Sequence, residues 1–135
     1  MAKTVTGLPS ERRIADAAAL RNALRRFLRS SESVVREHGL TPEQYELLLL
    51  IRVAPGRQTT IRDLQLALDR RQSAVTQLAR RAENLGLISR TLSSDDARVR
   101  YLGLTAAGER ALLEAVAGLG PERTRLLRIL RELAD

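Results

Sequence analysis

A mainly α-helical chain with one small β-hairpin is predicted by three observations. Apolar residues recur at helical spacing over most of the 135 positions. Leu87-Ile88 and Val99 to Leu104 alone read as strands, two short ones around a polar loop, Ser93-Ser94-Asp95-Asp96. Between Thr60 and Thr105 a short helix, a tight link, a second helix and the charged hairpin follow one another without padding. That order is the plan of a winged helix-turn-helix, which sets one helix in a DNA major groove and a basic loop beside it.

Each element has a local justification. Residues 1–9 mix small, polar and turn-forming types and read as a flexible N-terminus. Ser10-Glu11 opens a helical pattern reaching about Arg36. Ile14, Ala17, Leu24, Leu28 and Val35 recur at heptad spacing, and Leu20, Phe27 and Val34 broaden the stripe. This run is longer than the usual globular helix, so residues 10–37 are expected to serve as a dimerisation helix; the competing reading lays the stripe on the chain's own core. Gly39 stops it. Thr41-Pro42-Glu43-Gln44 supplies a capping threonine, a proline at the first helical position and a glutamine at the third. The helix it starts carries five consecutive aliphatics, Leu47 to Ile51, and is expected at the centre of the core. It ends before the Pro55-Gly56 turn.

Thr60 caps a short helix with Ile61, Leu64 and Leu68 on its inner face. Asp69-Arg70-Arg71 links it to a helix starting at Gln72 or Ser73, where Val75, Leu78, Ala82 and Leu85 are expected to face inward and Gly86 ends the run. Thr105 caps the next helix, with Leu112, Leu113 and Val116 inward. Gly118, Gly120 and Pro121 break it, and Glu122 to Leu133 forms the last helix. Residues 41–104 are thus the winged module and 105–135 two C-terminal helices, within one structural domain. The hairpin is expected to be the only β element.

Composition narrows the function classes. The chain is 44% hydrophobic with three aromatic residues, Phe27, Tyr45 and Tyr101, so its core must be leucine, alanine and valine, which suits helices. The formal net charge is +7, carried by arginines beside the single Lys3. The guanidinium fork suits phosphates and guanine edges, although GC-rich coding inflates arginine for no ligand's sake. Without cysteine there is no disulfide, thiolate metal site or thiol sensor. One histidine, His38, builds no histidine metal site, so neither a metal nor another cofactor is expected. The absence of a secretory apolar core and of a run of ~20 apolar residues predicts a cytoplasmic protein with no membrane partner. No phosphate loop, nucleophile motif or acid/base pair occurs, and no enzyme is expected. Glu43 and Glu46, three apart on a helix, are a solvated face.

The chemistry that remains belongs to the helix–hairpin segment. Gln72, Ser73, Thr76, Gln77, Arg80 and Arg81 decorate the outer side of the second helix of the pair. Glutamine can read adenine in a bidentate manner and arginine prefers guanine. Arg90, Arg98 and Arg100 surround the hairpin loop, and a hairpin arginine can enter a narrow minor groove. Asp96, two residues before Arg98, can hold that guanidinium or nearby backbone N–H groups and fix the loop's shape.

These residues resemble the MarR family of winged helix-turn-helix regulators. The resemblance runs from about Leu40 to Gly108 and rests on three passages. Leu40-Thr41-Pro42-Glu43-Gln44-Tyr45 is similar to the family's second-helix opening, and Asn84-Leu85-Gly86-Leu87-Ile88-Ser89-Arg90 to its passage from recognition helix into wing. Asp96-Ala97-Arg98-Val99, continuing to Leu104-Thr105-Ala106-Ala107-Gly108, resembles its wing motif and fifth-helix start, and is the most specific of the three. The resemblance implies a homodimer with interleaved terminal helices, which binds a pseudo-palindromic operator in double-stranded DNA and represses transcription. It makes Arg98 the minor-groove arginine and Asp96 its orienting partner. Ala97 departs from the pattern where relatives often carry a further arginine, as does Arg80 where an acidic residue is frequent. The family also responds to small aromatic or anionic effectors, and Phe27, His38, Tyr45 and Arg52 are the candidate pocket residues. For each a plainer role competes: core filling for Phe27 and Tyr45, a helix end for His38, solvation for Arg52. The alternative function is a winged-helix protein-interaction module without DNA binding, which the polar, arginine-bearing recognition face disfavours.

Overall fold

Among the described residues, capping residues start four of the six α-helices. In the computed structural model, which describes residues 7–93 and 95–135, the Ser10 hydroxyl accepts the Arg13 N–H at 3.2 Å and opens α1 (Glu11–Glu37). Thr41 and Gln44 complete a reciprocal capping box at the start of α2 (Pro42–Val53), with bonds of 3.0 and 3.1 Å. Thr60 caps α3 (Ile61–Leu68) and Thr105 caps α5 (Ala106–Gly118). Between them stands α4 (Gln72–Asn84), and α6 (Gly120–Ala134) closes the chain. Gly39 and Gly86 take φ of 78° and 75° where α1 and α4 end, a region open to glycine without the Cβ penalty. Residues 1–6 of the expected flexible terminus, and Ser94 of the hairpin loop, lie outside the described residues.

α2 is the centre of the core, as its aliphatic run predicts. Leu47, Leu48 and Ile51 are fully buried, and Val35, Leu40, Leu64, Val75, Ala79, Ile88, Leu102 and Leu112 close around them. Each large aliphatic so buried stabilises the fold by about 1.5–3 kcal/mol. α6 packs along α1, and α5 along α2.

The sheet corrects the expectation of a lone hairpin. β2 (Ile88–Leu92) and β3 (Arg100–Leu104) pair antiparallel, and a two-residue β1 (Gln58–Thr59) adds to the other edge of β3, giving the order β1-β3-β2. Gln58 sits opposite Gly103 and Thr59 opposite Leu102. Two residues show no alternation, so only the tertiary pairing reveals this strand. Leu87, expected in the hairpin, precedes it; its N–H closes the end of α4 on Ala82 O.

Three further details differ from expectation. Leu85 is 61% exposed because it sits at the end of α4, where the chain unwinds; Ala79 takes the inner position instead. Leu113 is 51% exposed, since Leu112 and Ala115 already occupy the inner face of α5. The break between α5 and α6 narrows to Leu119, and Gly120-Pro121 open α6, where proline's fixed φ suits the first turn.

Gly108 shows how the wing is seated. A Cβ there would run into the Leu87 carbonyl oxygen, so the first turn of α5 rests directly on the chain entering β2. Thr105 fastens the same junction. Its N–H donates to Leu87 O at 3.0 Å, and its hydroxyl accepts the Gly108 N–H at 3.0 Å and donates to Gly86 O.

Candidate nucleic-acid interface

The helix facing outward beside the wing is α4. Val75, Ala79 and Ala82 are buried, which turns Ser73, Thr76, Gln77 and Arg80 to the opposite side. Ser73, Gln77 and Arg80 are exposed and Thr76 is half-buried; Gln72 is exposed in the first turn. Arg81 is exposed too, but sits about 100° round the axis from Arg80, at the margin of this face.

Unlike the four capped helices, α4 starts on Arg71, whose side chain makes no capping bond. The first-turn N–H groups keep their capacity to meet an external acceptor, and phosphate oxygens suit that position. Arg71, Gln72, Ser73, Thr76 and Gln77 line a shallow concavity over this turn.

The wing holds its arginine by local hydrogen bonds. The Ser93 N–H donates to Val99 O at 2.9 Å and closes the loop. Its hydroxyl accepts the N–H groups of Asp95 and Asp96 at 3.1 and 3.2 Å. Asp96 Oδ1 accepts the Arg98 N–H at 3.0 Å and stands 3.5 Å from Arg98 Nε, while the Arg98 side chain is 93% exposed. The carboxylate shapes the backbone and steers the guanidinium without burying it. Arg100, at the start of β3 opposite Leu92, is also exposed.

Arg90 is placed differently. Its Nε donates to Glu83 Oε1 at 3.0 Å, with both side chains about one-third exposed, so it ties β2 to α4. The sequence reading missed Glu83, seven residues away across a turn, and it missed Ser93 as the loop's acceptor. A polar residue two and three positions before backbone donors was the available signal for the second.

Of the four candidate pocket residues, two come together. Phe27 and Tyr45 line a cavity of about 410 Å³ with Leu28, Leu49, Leu119 and Arg123. Burial raises the Tyr45 phenol above its ordinary pKa, and the nearby Arg123 charge partly offsets this. The Ser31 hydroxyl, on the same wall, is buried without a hydrogen-bond partner. His38 and Arg52 lie elsewhere. His38 is at the end of α1, with Nδ1 3.9 Å from Glu114 Oε2. Arg52 is not the solvated side chain expected: its Nε donates to Glu109 Oε1 at 2.6 Å across 57 residues of sequence. Among the described residues no group of three metal-ligating side chains is assembled, and no helix is long and apolar enough to cross a membrane.

Comparison with known proteins agrees with this geometry. A family model described as MarR family matches residues 38–99. Among solved structures, AbsC from Streptomyces coelicolor, a MarR family transcriptional regulator, is similar at 21% identity and a TM-score of 0.75, over 93% of this chain and 84% of that one. YusO from Bacillus subtilis is 24% identical with a TM-score of 0.71, over 90% and 85%. A mutant MarR from E. coli complexed with operator DNA is 20% identical with a TM-score of 0.63, over 79% of each chain. No curated protein matches in sequence. Residues 38–99 are thus similar to the MarR family, and the described helices and three-stranded sheet share the winged-helix fold of these solved structures.

Proposed function

We propose that the protein is a sequence-specific, DNA-binding transcriptional regulator acting as a homodimeric repressor. The observation that carries this reading is the exposed Arg98, braced by Asp96 on a closed wing loop. It shares the winged module with the exposed, uncapped recognition helix α4. Phosphate contacts from arginine supply most of the affinity, and base edges met by Ser73, Thr76, Gln77 and Arg80 supply the sequence preference. A structural relative was captured with operator DNA, which supports the same use of this fold here.

Pairing is supported by α1. Ile14, Leu24 and Leu28 are 53%, 41% and 65% exposed, and Leu127 on α6 is 43% exposed. The single chain leaves these apolar side chains uncovered, which supports a second copy as their cover. Relief by a small ligand is supported by the cavity at Phe27 and Tyr45, whose apolar wall suits an aromatic body and whose Arg123 suits an anionic group.

The test is fluorescence anisotropy on a duplex recovered by selection from a random pool, repeated over a range of salt. The regulator reading predicts tight, selective binding that weakens steeply with salt. Binding that ignores both sequence and salt would instead favour a protein-interaction module.

A further inference from the structure

The Glu109 carboxylate gathers three elements at one point. Its Oε1 accepts Arg52 Nε, near the end of α2, at 2.6 Å, and stands 3.7 Å from Arg57 Nη1. Arg57 lies in the short 3-10 turn Pro55–Arg57, and its own φ of 57° is in the left-handed region. That turn leads directly into β1, which forms the edge of the wing sheet beside β3. Glu109 itself is in the first turn of α5, the helix that leaves β3 and runs on to α6. One carboxylate therefore joins the core helix, the turn into the wing sheet and the start of the C-terminal arm.

The contact is more than surface decoration. Arg52 and Glu109 are 30% and 35% exposed, so their bond is only partly screened, and a carboxylate near a helix N-terminus is further favoured there. Hydrophobic contact across α2 and α5 fixes their distance, but it is non-directional and leaves their relative angle softly defined. A short, charged hydrogen bond is directional and resists that rotation. In a paired molecule, a small change in the angle of α5 is carried outward as a displacement of the whole reading module.

We propose that Glu109, gripping Arg52 and Arg57, sets the angle at which the winged module is carried on the C-terminal arm, and thereby selects the half-site separation the dimer accepts. Glu109 is a positioning residue on this view and touches no DNA. The inference rests on the paired, DNA-reading function proposed above.

The experiment measures anisotropy on a series of palindromic duplexes, built from the selected sequence with the spacer varied one base pair at a time. A duplex holding a single half-site and a thermal melt serve as controls. The wild type is expected to prefer one spacing sharply. Glu109→Gln flattens that preference by roughly threefold to fivefold, the scale of a partly exposed ion pair, with single half-site affinity unchanged. Arg52→Gln does the same, and the double variant flattens it no further, because both changes remove one interaction. An unaltered spacing profile in Glu109→Gln overturns the proposal. So does an equal loss at every spacing and on the single half-site, which would mark a general structural weakening. A wild type indifferent to spacing would sink the paired reading itself, and this inference with it.

Discussion

Replacing Arg98 with alanine separates the wing's contribution to binding from its contribution to folding. The side chain is 93% exposed, and its ion pair with Asp96 at 3.5 Å is a surface contact worth about 0–1 kcal/mol. The loop is closed by other bonds: Ser93 to Val99, Ser93 to Asp95 and Asp96, and the Arg98 backbone N–H to Asp96, all of which alanine keeps. Arg98→Ala should therefore melt like the wild type. Its affinity for the selected duplex should fall by about 1–3 kcal/mol, roughly fivefold to 150-fold. If the guanidinium neutralises a phosphate or occupies the minor groove, the slope of log affinity against log salt should also shrink by about 1. Anisotropy titrations at several salt concentrations measure both quantities. Unchanged affinity and slope would refute the role assigned to the wing, and a collapsed melting curve would show the residue to be structural instead.

Three further outcomes follow from the geometry. Gly108→Ala should cost about 1–3 kcal/mol in urea unfolding, because the new methyl runs into backbone at Leu87 and not into a movable side chain; a wild-type midpoint would contradict the described seat of the wing. Leu28→Glu should convert the proposed dimer to monomer by light scattering without loss of helicity, since this side chain is 65% exposed in the single chain; a persistent dimer would place the interface elsewhere. The Tyr45 phenol ionises later in the folded protein than in the unfolded chain, because burial disfavours the phenolate. Its stabilising contribution is complete below the ordinary tyrosine pKa and is lost as pH climbs through the raised one. Denaturation across alkaline pH should show a decline that Tyr45→Phe reduces, and an identical decline in the variant would count against it.

What was legible in the sequence was local. The box formed by Thr41 and Gln44 spans three residues, and the Asp96–Arg98 bond spans two, so spacing alone carries their geometry. Gly39, Gly86 and Thr105 are equally local stops and starts. The parts that escaped depend on contacts distant in sequence. Gln58-Thr59 becomes a strand only because Leu102 and Gly103 lie beside it. Glu109 meets Arg52 across 57 residues, and Arg90 turns to Glu83 only once α4 and the hairpin are folded together. Leu85 and Leu113 followed helical spacing, but Ala79, Leu112 and Ala115 had already filled the inner faces. The stripe on α1 shows a different limit: periodicity marks an apolar face, but not whether the chain itself or a second copy covers it.

The most direct test of the central claim combines selection from a random duplex pool with light scattering on the same purified protein. The winged, paired arrangement predicts a dimer that enriches a pseudo-palindrome with half-sites about 10 base pairs apart, centre to centre. A monomer that enriches no sequence, even at low salt, would contradict it.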